Sequence, residues 1–181
     1  MNRTLTAVIA LLLVSAPAFA QDVRRAGDSN VRRAGLQSHQ IDRGRYLVTI
    51  AACHDCHSPK IDAQMTPDAG RLLSRPPLTT PPPAQGKNDI RSSLDLTAWS
   101  GPWGNSYAAN LTPDAETGIG KRYTEAAFIK TIRTGKKPEG EDLSPPMPWT
   151  QYRHMTDGDL KAIYAYLRTL KPVKNVVRAS P

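Results

Sequence analysis

The feature that most constrains this chain is the segment "AACHDCHSPK" at residues 51–60. It holds both cysteines of the sequence, Cys53 and Cys56, which flank two residues, and His57 follows directly. A structural zinc site normally takes four ligands from paired knuckles, and the sequence has no second cysteine pair. A redox dithiol is expected beside a strand–helix–strand pattern, and a disulfide across so short a loop constrains the unfolded chain only slightly. These three interpretations are therefore disfavoured.

The spacing Cys-x-x-Cys-His is the attachment pattern of c-type haem. At the end of a helix, two thiols can bond to the two vinyl groups on one porphyrin edge, and the histidine that follows can ligate the iron. The motif therefore predicts one covalently bound haem c, tethered by Cys53 and Cys56, with His57 as the proximal iron ligand. A buried macrocycle would also give a chain with only two phenylalanines a large apolar surface to fold around. The second ring nitrogen of His57 is expected to bond a backbone carbonyl, from Pro59 or a neighbour in the following loop.

Met147 is the favoured residue for the other axial position of the iron. It lies in "SPPMPWTQY", where prolines on both sides stiffen an extended loop that can hold a thioether in place. His/Met ligation raises the reduction potential, as suits an electron carrier. Met155 fits a hydrophobic staple instead, because it precedes the helix-capping Thr156. The other candidates are Met65, Met155, His39, His54, His154, a lysine, or an open position.

The first twenty residues predict export. They combine Arg3, an apolar stretch and the small residues "AFA", which is the pattern of a secretory signal peptide cleaved after Ala20. The apolar stretch is shorter than the roughly 20 residues of a membrane span, so no stable membrane insertion is expected after cleavage. The predicted location is the periplasm.

An excess of basic residues, 24 Lys and Arg against 16 Asp and Glu, predicts docking on acidic partner proteins. Nucleic acid is not expected as a partner, because the aromatic residues are not interleaved with the basic ones as a stacking platform requires.

The sequence predicts that the chain is organised in three parts. Residues 1–20 are the signal peptide, residues 21–38, with two copies of "VRRAG", are a flexible basic arm, and residues 39–175 are one haem-binding domain. A Pro-rich loop insertion is expected over about residues 58–100. The first helix is expected to begin at the capping residue Asp42 and to run into the cysteines.

Two further helices are signalled by their caps and apolar faces. Thr124 caps the first, which ends at Gly135, and Thr156 caps the second. The last helix is expected to cross the first near Gly44, with Tyr164 or Tyr166 covering the gap. No strand pair is signalled, so the predicted class is all-α, with short helices around one covalently bound haem and long Pro-rich loops.

Four segments resemble class I cytochromes c, and most closely the haem c domains of cytochrome subunits of membrane-bound alcohol and sugar-acid dehydrogenases. The resemblance implies a cytochrome c fold, Met147 as the distal iron ligand, and haem contacts from Trp103, Tyr107 and Asn110. Those subunits carry three Cys-x-x-Cys-His motifs, whereas this chain carries one. The segments are "RGRYLVTIAACHDCH", "PWGNSYAANLTPDAETGIG", "YTEAAFIKTIRTG" and "PPMPWTQYRHMTDGDLKAIYAYLRTL".

The expected function is that of an exported electron carrier without catalytic residues. It would pass single electrons from a periplasmic or membrane-bound dehydrogenase to a downstream acceptor such as a terminal oxidase. The alternative is a haem c enzyme or enzyme subunit, in sulfur-compound oxidation or peroxide reduction, with a displaceable sixth ligand.

Overall fold

A computed structural model describes residues 16–74, 81–86 and 88–175. The chain divides into two units between Gln37 and Ser38. Most of the predicted signal peptide and part of the Pro-rich stretch lie outside the described residues, so cleavage after Ala20 stays a prediction. Among the described helices, none combines the length and the apolar character that crossing a membrane requires.

The first helix, α1, spans Ala16–Ile50, so the expected start at Asp42 is wrong. Residues 21–38, predicted to form a flexible arm, lie within this helix. The reason is that the sequence between Pro17 and Pro59 contains no proline. The glycine of each "VRRAG" copy disfavours the helix by only about 1 kcal/mol relative to alanine, which is too little to end it.

The remaining helices are short, and two of them begin at the capping residues that the sequence predicted. The Thr124 side chain accepts a hydrogen bond from the Ala127 amide, and the Thr156 side chain accepts one from the Asp159 amide. Gly135 has φ 71°, the left-handed conformation expected after a helix end. Both predicted caps and the predicted stop are confirmed. The helices are α2 Cys53–His57, α3 Glu125–Thr134, α4 Trp149–Tyr152 and α5 Asp157–Leu167, with a 3₁₀ turn at Ala69–Arg71.

A small antiparallel sheet lies between the Cys-x-x-Cys-His motif and α3, so the prediction of an all-α chain is wrong for this segment. Its strands are β1 Arg91–Ser92, β2 Ala98–Gly101 and β3 Gly104–Tyr107, in the order β1-β2-β3. The hairpin between β2 and β3 turns at Pro102 and Trp103, and Gly104 follows with φ 86°. Proline early in a β-turn and glycine at its end are residue types that such turns favour.

The core of the second unit forms where α1 and α5 cross. A Cβ added to Gly44 would lie 1.9 Å from the carbonyl oxygen of Ala162 and 2.8 Å from the Cβ of Tyr166. The predicted crossing at Gly44, with Tyr166 beside it, is therefore confirmed. The buried apolar residues around it are Leu47, Val48, Leu73, Ile119, Phe128, Ile132, Leu160, Ala162, Ile163, Tyr166 and Leu167.

Candidate functional site

The two cysteines lie on α2, a single helical turn that follows α1 after a change of direction. Ala52 makes this change with φ 55°, a left-handed conformation that is uncommon for a residue with a side chain. Cys53 and Cys56 are free thiols and partly buried. Burial raises the pKa of Cys53 to about 12 and also raises the pKa of Cys56. A raised pKa leaves little of the reactive thiolate, so this environment disfavours a redox-active dithiol.

His57 is buried, and one nitrogen of its imidazole contacts the loop that carries Ala109. Its Nδ1 lies 2.7 Å from the carbonyl oxygen of Ala109. The predicted backbone carbonyl partner is therefore present, but its assignment to Pro59 or a neighbour is wrong. When Nδ1 donates its proton to the carbonyl, Nε2 carries the lone pair, and Nε2 is then the nitrogen that can ligate a metal.

The Asn110 side chain braces the loop that supplies this carbonyl. Its Oδ1 accepts hydrogen bonds from the Thr112 amide at 3.0 Å and the Thr112 hydroxyl at 2.8 Å. Its Nδ2 donates to Thr117 Oγ1 at 3.0 Å and to the carbonyl of Val173 at 2.8 Å. Asn110 is 3% exposed, so these bonds satisfy a buried amide. The haem contact implied for Asn110 stays a prediction beside this structural role.

The segment that carries Met147 and precedes α4, here called the Met147 loop, packs against the core. Met147 is partly buried, and its amide donates to the carbonyl of Ser144 at 3.2 Å. The Trp149 ring lies against Gly135, where an added Cβ would come within 2.5 Å of the indole. The glycine that ends α3 therefore also makes room for the tryptophan that follows Met147. Distal iron ligation by Met147 stays a prediction.

The β2–β3 hairpin connects to this loop through Ser106, which makes one hydrogen bond within the hairpin and one to the loop. Trp103 Nε1 donates to Ser106 Oγ at 3.2 Å, and Ser106 Oγ donates to the carbonyl of Pro145 at 2.5 Å. Trp103 and Tyr107 are partly buried. Trp103 thus supports the segment leading to Met147, which sequence reasoning missed because it placed no strand here. Haem contacts by Trp103 and Tyr107 stay predictions.

Tyr152 connects α4 to the start of the cysteine motif. Its hydroxyl donates to the carbonyl of Ala51 at 2.5 Å, and burial raises its pKa to about 12. The segments carrying Met147 and Cys53 are therefore tied together two residues before the first cysteine. Met155 packs against the core, in agreement with its interpretation as a packing residue.

Lys60 is a second residue that sequence reasoning missed. Its Nζ donates to three backbone carbonyls, those of His54, Asp55 and Ser58. A lysine just beyond the C-terminus of a helix was the available signal. In the part of the chain that the structure describes, no three His, Cys, Asp or Glu side chains group as a metal-ion site.

Comparison with known proteins finds relatives among cytochrome subunits, whereas no protein-family model matches the chain. The fructose dehydrogenase cytochrome subunit of Gluconobacter japonicus is 34% identical over 150 residues, which are 82% of this chain and 25% of the relative. The alcohol dehydrogenase (quinone) cytochrome c subunit of Gluconacetobacter polyoxogenes is 44% identical over 149 residues, which are 82% of this chain and 26% of the relative.

A third relative is a diheme cytochrome c-type protein of Cereibacter sphaeroides. It is 27% identical over 172 residues, which are 95% of this chain and 50% of the relative. The chain therefore spans about a quarter of the length of the two dehydrogenase subunits and about half that of the third relative.

Proposed function

We propose that this chain, whose cytochrome c domain resembles the cytochrome subunits of fructose and alcohol dehydrogenases, passes single electrons from a dehydrogenase to a downstream acceptor. The observation that carries the proposal is the imidazole of His57, fixed by the carbonyl of Ala109 directly after Cys53-x-x-Cys56. A histidine fixed beside two free thiols would let this chain tether a haem covalently and ligate its iron.

The residues that would hold the haem are Cys53 and Cys56 as thioether tether and His57 as proximal ligand. When bound, the haem supplies a one-electron couple between two iron oxidation states. The single Cys-x-x-Cys-His motif supports one haem in this chain.

Met147 would take the distal position and so complete the ligand set of a carrier. Its loop is held by Ser106 at Pro145 and by the packing of Trp149 on Gly135. A loop fixed at both ends limits the movement needed to vacate the sixth position. This arrangement favours electron transfer over chemistry on a bound small molecule, and no residue is assigned a catalytic role.

The carrier would act outside the cytoplasm and would meet acidic partners. Support for export comes from the signal-peptide pattern of residues 1–20, and support for the partner's charge comes from the basic excess of the chain. The donor would be a dehydrogenase and the acceptor a protein such as a terminal oxidase. Complementary charge would increase the association rate more than the affinity.

Measurements of haem content, carbon monoxide binding and electron transfer on the protein matured in a haem c-assembling host test this function. Mass spectrometry and haem quantification should give one covalent haem per chain, and Cys53→Ser and Cys56→Ser should each lose one thioether bond. Rapid binding of carbon monoxide by the reduced native protein would contradict the carrier function and favour a haem enzyme with an open sixth position. Electron transfer with an acidic partner should slow as ionic strength rises, and a rate indifferent to salt would rule out charge steering.

A further inference from the structure

Lys60 occupies a fixed position three residues beyond the predicted iron ligand His57. Its backbone pairs with Pro67 in an antiparallel bridge. The Ile61 amide donates to the Thr66 carbonyl at 3.1 Å, and the Asp68 amide donates to the Pro59 carbonyl at 2.9 Å. These bonds close a turn over residues 59–68 and return the lysine side chain toward α2.

The Lys60 ammonium caps the cysteine helix. Its Nζ donates to the carbonyl of His54 at 2.9 Å, to that of Asp55 at 2.9 Å and to that of Ser58 at 2.7 Å. An ammonium group has three donor hydrogens, so these carbonyls account for all of them. The His54 carbonyl also accepts from the Ser58 amide at 3.2 Å, and a cation at the C-terminus of a helix is favourable.

The acceptors of Lys60 are neutral carbonyls, in contrast to those of other lysines of the chain. Lys137 is paired with Glu141 at 2.8 Å and Lys174 with Glu116 at 2.6 Å. A carboxylate partner cancels most of the lysine charge at a distance, whereas a carbonyl does not. Lys60 is also half-buried, which reduces screening of its charge by salt, although the carboxylates of Asp55 and Asp95 lie within electrostatic range.

We propose that Lys60 is a positioning residue for the haem-attachment helix and that its fixed positive charge raises the reduction potential of the haem. This inference rests on the proposed haem attachment at Cys53, Cys56 and His57. A cation beside the site disfavours the additional positive charge that the iron acquires on oxidation. The reduced state is therefore favoured, and the potential rises. In this proposal Lys60 adjusts the reduction potential of the haem and does not take part in docking an acidic partner.

The test compares midpoint potentials of the haem-loaded proteins. Lys60→Met keeps much of the aliphatic side chain and removes the charge, so its potential should fall below that of the native protein. Lys60→Arg keeps the charge, and its potential should stay close to the native value. Lys130→Met removes the same charge from the exposed face of α3 and should leave the potential unchanged. Where Lys60→Met does not retain haem, Lys60→Gln supplies the neutral comparison, because its amide still donates hydrogen bonds.

Salt separates the effect of a half-buried charge from that of a surface charge. The difference between native protein and Lys60→Met should persist from low ionic strength to about 1 M salt, where the Debye length is about 3 Å. A haem-loaded neutral variant with the native potential would overturn the proposal. So would a fall in the potential of Lys130→Met equal to that of the neutral Lys60 variants. Failure of the proposed function is seen separately, as a native protein without covalent haem or with an open sixth position.

Discussion

The imidazole Nδ1 of His57 lies 2.7 Å from the carbonyl oxygen of Ala109, 52 residues further along the chain. A backbone carbonyl at this position sets both the tautomer and the ring orientation of the histidine. Because the carbonyl belongs to a loop, the geometry of His57 depends on whatever holds that loop in place. Asn110, the next residue, does this with four hydrogen bonds from its side chain.

Replacing Asn110 with alanine should therefore destabilise the fold. The substitution leaves the buried Thr112 amide and the Val173 carbonyl without their Asn110 partner. Each buried polar group left unsatisfied costs about 1–3 kcal/mol of the free energy of unfolding. Denaturant unfolding of the haem-loaded variant would measure the loss. The control is Asn88→Ala at an exposed turn position, which should change stability by less than about 0.5 kcal/mol. Equal stability of the two variants would contradict the bracing role of Asn110.

The crossing of α1 and α5 predicts a severe effect of Gly44→Ala. The added methyl would lie 1.9 Å from the backbone oxygen of Ala162, and a backbone atom cannot turn aside as a side chain can. The helices must separate, and we expect a loss of about 3 kcal/mol, at the upper end for overpacked sites. Thermal unfolding provides the measurement. In the control Gly35→Ala, also in α1, the added methyl would have no atom within 4 Å, so this substitution should be neutral or slightly stabilising. A Gly44→Ala protein as stable as Gly35→Ala would show that the helices do not cross this closely.

Ser106→Ala should loosen the loop that carries Met147. The substitution removes the hydrogen bond to the Pro145 carbonyl and the acceptor for the Trp103 indole. If Met147 ligates the iron, its ligation should then be lost at a lower temperature than in the native protein. The Met-to-iron charge-transfer band, followed during heating, reports this loss.

A matched control for Ser106 exists in the neighbouring strand. Ser100 is buried to a similar extent and also donates to a proline carbonyl at 2.5 Å, but that carbonyl belongs to Pro82, outside the Met147 loop. Ser100→Ala should destabilise the sheet and leave the temperature dependence of the band close to native. If both variants lose the band at the same temperature, the connection from β3 to the Met147 loop has no special part in ligation.

The ionised carboxylate of Asp159 should make the free energy of unfolding depend on pH in the acid range. Hydrogen bonds from Arg43 and Thr156 hold its pKa below the usual 3.8. A carboxyl with a depressed folded-state pKa stabilises the protein above its unfolded-state pKa, and the stabilisation is lost as pH falls through the folded-state value. Asp159→Asn should therefore be less stable than the native protein near neutral pH, and the difference should shrink as pH falls below the unfolded-state pKa. Urea unfolding at several pH values would test this, and a difference independent of pH would contradict it.

The parts of the fold that the sequence predicted well depend on local chemistry. Thr124, Thr156 and Gly135 act on the helix turn in which they lie, so their roles could be predicted from neighbouring residues alone. Gly44 was informative for a different reason, since a glycine inside an apolar helix face indicates close approach of another element. The sheet was missed because its strands are only two to four residues long, which is too short to show an alternating pattern.

The partner of His57 shows where prediction from the sequence stops. The chemistry of a metal-ligating histidine predicts a backbone carbonyl, but the choice of Ala109 depends on how a distant loop folds over α2. The length of α1 was underestimated because of a local signal. Asp42 is a good capping residue, but no proline between Pro17 and Asp42 interrupts the helix that precedes it.

The most direct test of the central claim is the absorption spectrum of the oxidised, haem-loaded protein beside that of Met147→Ala. If the chain is a carrier with one haem held by His57 and Met147, the native protein should show a low-spin spectrum with a Met-to-iron charge-transfer band. The band should be absent from Met147→Ala, which should also bind carbon monoxide rapidly when reduced. A high-spin native spectrum, or a band that survives in Met147→Ala, would contradict the account.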